Sequence, residues 1–335
     1  MKRAQSRGGL GSSEGTRTGA RLAKGLLLAG AAAGLPMVVS EVIRRRAEPP
    51  QPPRWGRAHR YAGASGEVVF QELGAGSPPL LLLHSFGPGY DVQQWRPSAE
   101  LLAEHHSVYV PDLPGWGRSA APRGGYSARS CVESIGGFLG GVVREPAVVV
   151  AAGLSAAYAV RLAAERPSQV RALVLVTPLG LGADGAAFEG AGRTFLGKLL
   201  QTPVVKATVL DLLTSRSALT QHLRREVYAA PERVDAALLD HHYRASHTTR
   251  ARAALAAYLR GDLWLDVESE LERVQVPVLL AWGRSAASAR VENADLWLRH
   301  IPHAEIEIFQ GCGDLPNVES PTAFCRAVER FVARA

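Results

Sequence analysis

The sequence predicts an α/β protein: a mostly parallel, doubly wound sheet flanked by helices, with an all-helical insertion in its second half. Three observations predict it. Short continuous apolar runs alternate with helix-period segments from Pro79 to Val176, the pattern of buried parallel strands joined by crossover helices. The alternation stops between Gly180 and about Arg260, where only helical patterns occur, and resumes at Val276. Between them, Val148–Pro167 opens as an apolar run, passes through Gly153-Leu154-Ser155-Ala156-Ala157, and continues as an Ala-rich amphipathic segment, which reads as strand, sharp turn, helix.

At 335 residues and 47% apolar content, the chain can fill one large α/β domain with an insertion, or two ordinary domains. The formal net charge of +7 raises a nucleic-acid reading, and its placement argues against it. Residues 1–60 hold twelve Lys/Arg against three acids, whereas residues 61–335 hold 26 against 28. The body carries no basic excess, so no nucleic-acid partner is expected. Cys131, Cys312 and Cys325 are widely spaced with no CxxC pair, so no disulfide framework and no metal is expected. Neither a Walker loop nor a dinucleotide fingerprint occurs, and no cofactor is expected.

In chain order, residues 1–24 read as a disordered basic leader and residues 25–43 as a membrane anchor. Gly25–Ser40 is sixteen uncharged residues, about 24 Å as a helix against a hydrocarbon core of roughly 30 Å; extension through Val42 and Ile43 requires Glu41 to snorkel. A cleaved secretory signal and a soluble leader compete with this reading, but the segment before the apolar run is long and no small-x-small site follows. Basic residues on both flanks leave orientation open. Residues 44–56 form an Arg/Pro linker, and the globular domain spans 57–335. Attachment by this single segment is expected ahead of a freely soluble protein.

Within the domain, Gly66–Leu73 alternates like an antiparallel edge strand and Pro79–His84 is a buried parallel one. A helix around Asp91–Glu104, a strand at Ser107–Asp112, a helix near Ala128–Val143, the strand-turn-helix unit and the strand Val170–Val176 follow. Helical patterns at Thr194–Leu213 and Arg233–Ser246 belong to the insertion, about 180–265, expected to cover the carboxyl edge of the sheet as a lid. Strand Val276–Gly283, helix Glu292–His300, strand Ala304–Phe309 and helix Pro321–Ala333 complete the domain.

Three ordered motifs carry a resemblance. Leu82-Leu-His84-Ser85-Phe86-Gly87-Pro-Gly89, Asp112-Leu-Pro-Gly-Trp-Gly-Arg-Ser119 and the Gly-x-Ser-x-small turn at Ser155 together resemble the α/β-hydrolase superfamily from about residue 57 onward. The resemblance implies a nucleophile elbow, in which Ser155 is held in a strained backbone conformation with its hydroxyl exposed. It also implies an oxyanion hole from the backbone N–H groups of Phe86 and Ala156, with His84 in the oxyanion loop.

The catalytic partners depart from the family's pattern. Where the triad acid follows the strand ending at Gly283, this chain reads Arg284-Ser285-Ala286-Ala287, and in the family's Gly-x-Gly-His-x-Pro-x-x-Glu turn, here Gly311–Glu319, Asp314 stands at the histidine position. A serine hydroxyl is a poor nucleophile unless a base takes its proton, and losing triad members costs on the order of 10⁴- to 10⁶-fold in turnover.

Other residues are candidates to replace them. His241, His242 and His247 lie in the insertion, where a polar His-His pair reads as solvated; His84 reads as bonded within its loop. Asp184 is an alternative acid, and Cys312 reads as a buried small side chain. Three functions follow: a hydrolase-like enzyme on a small or lipidic ester or amide, with Ser155 as nucleophile or anchor and Asp314 as base; a catalytically silent hydrolase-fold protein that binds a small molecule or partner; and cofactor-free lyase or oxygenase chemistry.

Overall fold

The computed structural model describes residues 42, 48, 50–181 and 200–335. The apolar run 25–43, apart from Val42, therefore lies outside the described residues, as does Asp184. Among the described residues no helix is long and apolar enough to cross a membrane.

The first half of the domain runs β1 (Arg57–Gly63), β2 (Gly66–Leu73), β3 (Leu80–Leu83), α1 (Arg96–Leu102), β4 (Val108–Pro111), α2 (Ala128–Phe138), β5 (Ala147–Ala152), α3 (Ser155–Glu165) and β6 (Val170–Val176). The second half supplies α4 (Pro203–Leu213), α5 (Arg216–His222), α6 (Ala236–Ser246), α7 (Thr249–Leu259), α8 (Glu268–Leu271), β7 (Val278–Gly283), α9 (Ala294–His300), β8 (Glu305–Phe309), α10 (Pro316–Glu319) and α11 (Pro321–Val332).

Eight strands form one sheet in the order β1-β2-β4-β3-β5-β6-β7-β8. β1, β2 and β4 pair antiparallel and the remainder pair parallel. The period-two alternation of side chains explains the two cores. In β3, Leu81 and Leu83 enter one apolar layer with α2 and α3, and Leu80 and Leu82 enter the other with α1 and α11. In β5, Val149 and Ala151 join the first layer, Val148 and Val150 the second. Strands buried on both faces read as unbroken apolar runs, which is why these were legible.

The edge was not. β1 lies outside β2 with Arg57 opposite Glu72 and Gly63 opposite Gly66, so Gly66–Leu73 is the second strand rather than the edge. β1 is mostly exposed, and a charged, solvated edge carries no apolar alternation to read. The helix predicted to reach Val143 ends at Phe138 and continues as a π-type turn, Leu139–Val143, closed by Arg144 in the left-handed region at φ 63°.

Candidate active site

β5 passes into α3 through Gly153 and Leu154. The left-handed residue of this turn is Gly153, at φ 57°, while Ser155 is already the first residue of α3. The apex of a nucleophile elbow is the strained residue between strand and helix, so the apex here is glycine. Ser155 is fully buried, and its hydroxyl donates to the backbone carbonyl oxygen of His84 at 2.5 Å. The Ala156 N–H donates to the Gly153 carbonyl oxygen at 3.1 Å. Both departures from expectation have one cause: the elbow is registered two residues earlier, as Ala151-Ala152-Gly153-Leu154-Ser155. The end of β5 at Ala152 is the signal that could have found it.

Above the carboxyl ends of β3, β5, β6 and β7 lies a cavity of about 110 Å³, lined there by Ser85, Phe86, Gly153, Thr177, Ser288 and Asp314. The helical insertion contributes His222 and Tyr258 to the opposite wall. This is where open α/β sheets bind ligands. Asp314 and Phe86 face this cavity, and Ser155 does not.

Asp314 sits in the turn after β8. Glu319 holds that turn, accepting from the Gly313 N–H at 2.6 Å and the Ala230 N–H at 3.1 Å. The turn lies so close over β7 that a Cβ at Gly283 would run into the Gly313 carbonyl, so only glycine serves there. The Asp314 carboxylate accepts from the N–H groups of Ala287 at 2.9 Å and Ser288 at 3.1 Å. These donors belong to the loop where the family pattern has its acid. Ala286 is buried and places no carboxylate there. Burial pushes the Asp314 carboxyl up, hydrogen bonds from Ser288 and Ala287 oppose this, and it comes to rest at about 6. Such a group is ionised at neutral pH and still basic enough to take a proton.

Thr177, a residue the sequence did not single out, closes the floor of the cavity at the end of β6. It is a β-branched residue in the left-handed region, at φ 42°, 1% exposed, and its hydroxyl has no hydrogen-bond partner among the described residues. Backbone strain and an unpaired buried hydroxyl each cost free energy, and both concentrate where a ligand is handled. His222 was missed as well; its Nδ1 lies 2.7 Å from Glu226.

The four histidines singled out in the sequence are bonded within the fold. His84 is fully buried, its Nδ1 2.7 Å from the Ser85 carbonyl and its Nε2 accepting from the Leu113 N–H at 3.0 Å; burial pushes it down to about 4, so it is neutral and bonded within its loop as expected. His241 and His242 depart from the solvated reading, because α6 packs down on the loop after β3. His242 is buried with Nδ1 2.8 Å from the Pro88 carbonyl and is pushed down to about 4 by burial. His241 pairs with the buried Asp91 at 3.1 Å. Burial disfavours its charge, but the Asp91 carboxylate outweighs this and holds it above the ordinary imidazole range. This pair lines a second cavity of about 440 Å³ with Tyr90, Gln94 and Tyr228. His247 binds the Tyr243 carbonyl at 2.6 Å. Among the described residues, none of these imidazoles hydrogen-bonds Ser155.

The Asp112–Ser119 motif is a structural knot. The Asp112 carboxylate accepts from the N–H groups of Val92 and Arg118 at 3.0 and 2.9 Å, and the Ser119 hydroxyl donates to the Asp112 carbonyl at 2.6 Å. Cys312 is buried, and burial raises its thiol to about 11, which leaves it unreactive. No cluster of metal-binding side chains occurs among the described residues.

A model of the alpha/beta hydrolase family matches residues 80–327. A 2-hydroxy-6-oxononadienedioate/2-hydroxy-6-oxononatrienedioate hydrolase of Pseudomonas putida is 28% identical over 279 residues, 79% of this chain and 91% of that protein. A pimeloyl-[acyl-carrier protein] methyl ester esterase of Cronobacter sakazakii is 25% identical over 276 residues, 80% of this chain and 98% of that protein. Among solved structures, a serine hydrolase involved in carbazole degradation superposes with TM-score 0.68 at 21% identity, covering 83% of this chain and 99% of the other. A membrane phospholipase A superposes with TM-score 0.64 at 23% identity, covering 93% and 97%. At these identities the superpositions speak for the fold.

Proposed function

Because this chain belongs to the alpha/beta hydrolase family, we propose that it acts on a small carbonyl compound, an ester, amide or related acyl derivative, with Asp314 rather than Ser155 as the working side chain. The observation that supports this most is the Asp314 carboxylate facing the cavity at the place of the family's imidazole, held by the Ala287 and Ser288 N–H groups. In this reading Asp314 is the general base, taking a proton as the nucleophile attacks and returning it to the leaving group. The unpaired Thr177 hydroxyl anchors the substrate, and the Phe86 N–H faces the charge that develops on the carbonyl oxygen. Relatives named as an oxo-acid hydrolase and a methyl ester esterase favour an acyl substrate.

A second reading rests on Gly153 and Ala286: two of the three triad positions carry no functional group. Under it the same cavity binds a small ligand without turning it over. Hydrolysis of p-nitrophenyl acetate from acid to alkaline pH separates the two. The enzyme reading expects a rate that rises with pH through about 6, set by Asp314, and falls about 10²- to 10⁴-fold in Asp314→Asn. No turnover by the wild type at any pH would leave the binding reading.

The apolar run 25–43 further supports the proposal that the chain is attached to a membrane by its N-terminal segment.

A further inference from the structure

We propose that Ser85 supplies the hydroxyl that the elbow no longer carries, so that nucleophile and glycine have exchanged places between the oxyanion loop and the elbow. The inference rests on the reading of Asp314 as proton acceptor and deepens it. Three observations carry it. A Cβ built on Gly153 would run into the Ser85 hydroxyl oxygen, so this hydroxyl occupies the space in which an elbow side chain would begin. In sequence the exchange is reciprocal: the family pattern reads His-Gly where this chain reads His84-Ser85, and serine where this chain has Gly153.

The surroundings of Ser85 form the third observation. Its N–H donates to Gln94 Oε1 at 2.9 Å and its carbonyl lies 2.7 Å from His84 Nδ1, which fixes the backbone from both sides. Its hydroxyl makes no hydrogen bond to the described residues. It faces the cavity that also holds Asp314 and Thr177. A hydroxyl on a fixed backbone, left unpaired and sharing a cavity with a carboxylate, has what a nucleophile needs.

Ser85 Oγ bonds to the acyl carbon and its proton passes to the Asp314 carboxylate, directly or through one water. The acyl C–O bond breaks, and the leaving alkoxide takes that proton. Water then attacks the acyl-Ser85 ester, gives a proton to Asp314, and the Ser85 oxygen recovers it as the acyl bond breaks.

The test is labelling of the full-length chain with an alkyl fluorophosphonate and location of the adduct by peptide mass mapping. The adduct is expected on Ser85, absent in Ser85→Gly, formed at least about tenfold more slowly in Asp314→Asn, and unchanged in Ser155→Ala. Ser85→Gly installs the residue of the family pattern, and an unchanged melting temperature verifies its fold. Ser85→Cys, expected to take iodoacetamide on the new thiol, checks access to the same position. No adduct, or an adduct elsewhere, overturns the inference. If Ser85 stays unlabelled while Asp314→Asn still abolishes ester turnover, Asp314 activates water and only the Ser85 assignment falls. If Ser85 labels and Asp314→Asn is unaffected, the Ser85 assignment stands and the reading of Asp314 falls.

Discussion

The Ser155 hydroxyl donates to the backbone carbonyl oxygen of His84 at 2.5 Å. That bond ties the first turn of α3 to the loop after β3 and turns the serine inward, at full burial. With this hydroxyl facing the protein interior, what remains to do chemistry is the cavity between Ser85, Thr177 and Asp314.

If Ser155 is structural, its loss is felt in stability. Ser155→Ala leaves the buried His84 carbonyl without this donor, so unfolding free energy is expected to drop by about 1–2 kcal/mol. Denaturant titration of the two proteins checks this. No measurable loss would mean that the bond contributes nothing.

Asp314 couples stability to pH in the opposite sense to a salt-bridged carboxylate. Its folded carboxyl lies at about 6, above the ordinary 3.8, so between those values the folded state holds more protons than the unfolded chain. Stability therefore falls as pH rises through this window and is level above it. Asp314→Asn keeps an acceptor for the Ala287 and Ser288 N–H groups without the buried charge. It is expected to be more stable than wild type at neutral pH, by up to about 3 kcal/mol, with the difference closing near pH 3 (roughly, where both states are protonated). Melting curves at the two pH values check it.

The elbow apex tolerates no side chain cheaply. Gly153→Ala places a Cβ at φ 57° and against the Ser85 hydroxyl, so destabilisation of at least about 1 kcal/mol is expected. Gly153→Ser is expected to displace the Ser85 hydroxyl and gain no esterase activity, because the hydroxyl that Asp314 serves is pushed from its place. A rise in turnover on Gly153→Ser alone would show that the elbow position, and not Ser85, suits the nucleophile.

Membrane attachment has a direct test. The full chain is expected to pellet with membranes, and residues 47–335 to remain in the supernatant with the same melting temperature. A full chain already in the supernatant removes the anchor.

What the sequence disclosed follows from physics. The sheet was legible because β3 and β5, and β6 apart from the exposed Arg171 at its start, are buried on both faces and leave apolar runs; β1 was not, because its solvated side chains carry no such pattern. Asp314 was legible because the turn around it keeps its glycines, Pro316 and the clamping Glu319. The elbow register was lost because Ala151, Ala152, Gly153, Ser155, Ala156 and Ala157 all satisfy a demand for small residues, and it is the end of β5 and the backbone angle that separate Gly153 from Ser155. Thr177 gives no sign in sequence, since its left-handed backbone is imposed by the tertiary fold. His241 and His242 read as solvent-facing because polarity alone does not reveal that Asp91 and the Pro88 carbonyl meet them.

Turnover of p-nitrophenyl acetate by Ser155→Ala and Asp314→Asn, compared side by side at neutral pH, decides which side chain does the chemistry. Ser155→Ala is expected to stay within about twofold of wild type while Asp314→Asn falls by about 10²-fold or more. Loss of activity in Ser155→Ala with Asp314→Asn unimpaired would contradict it and return the chemistry to the serine of α3.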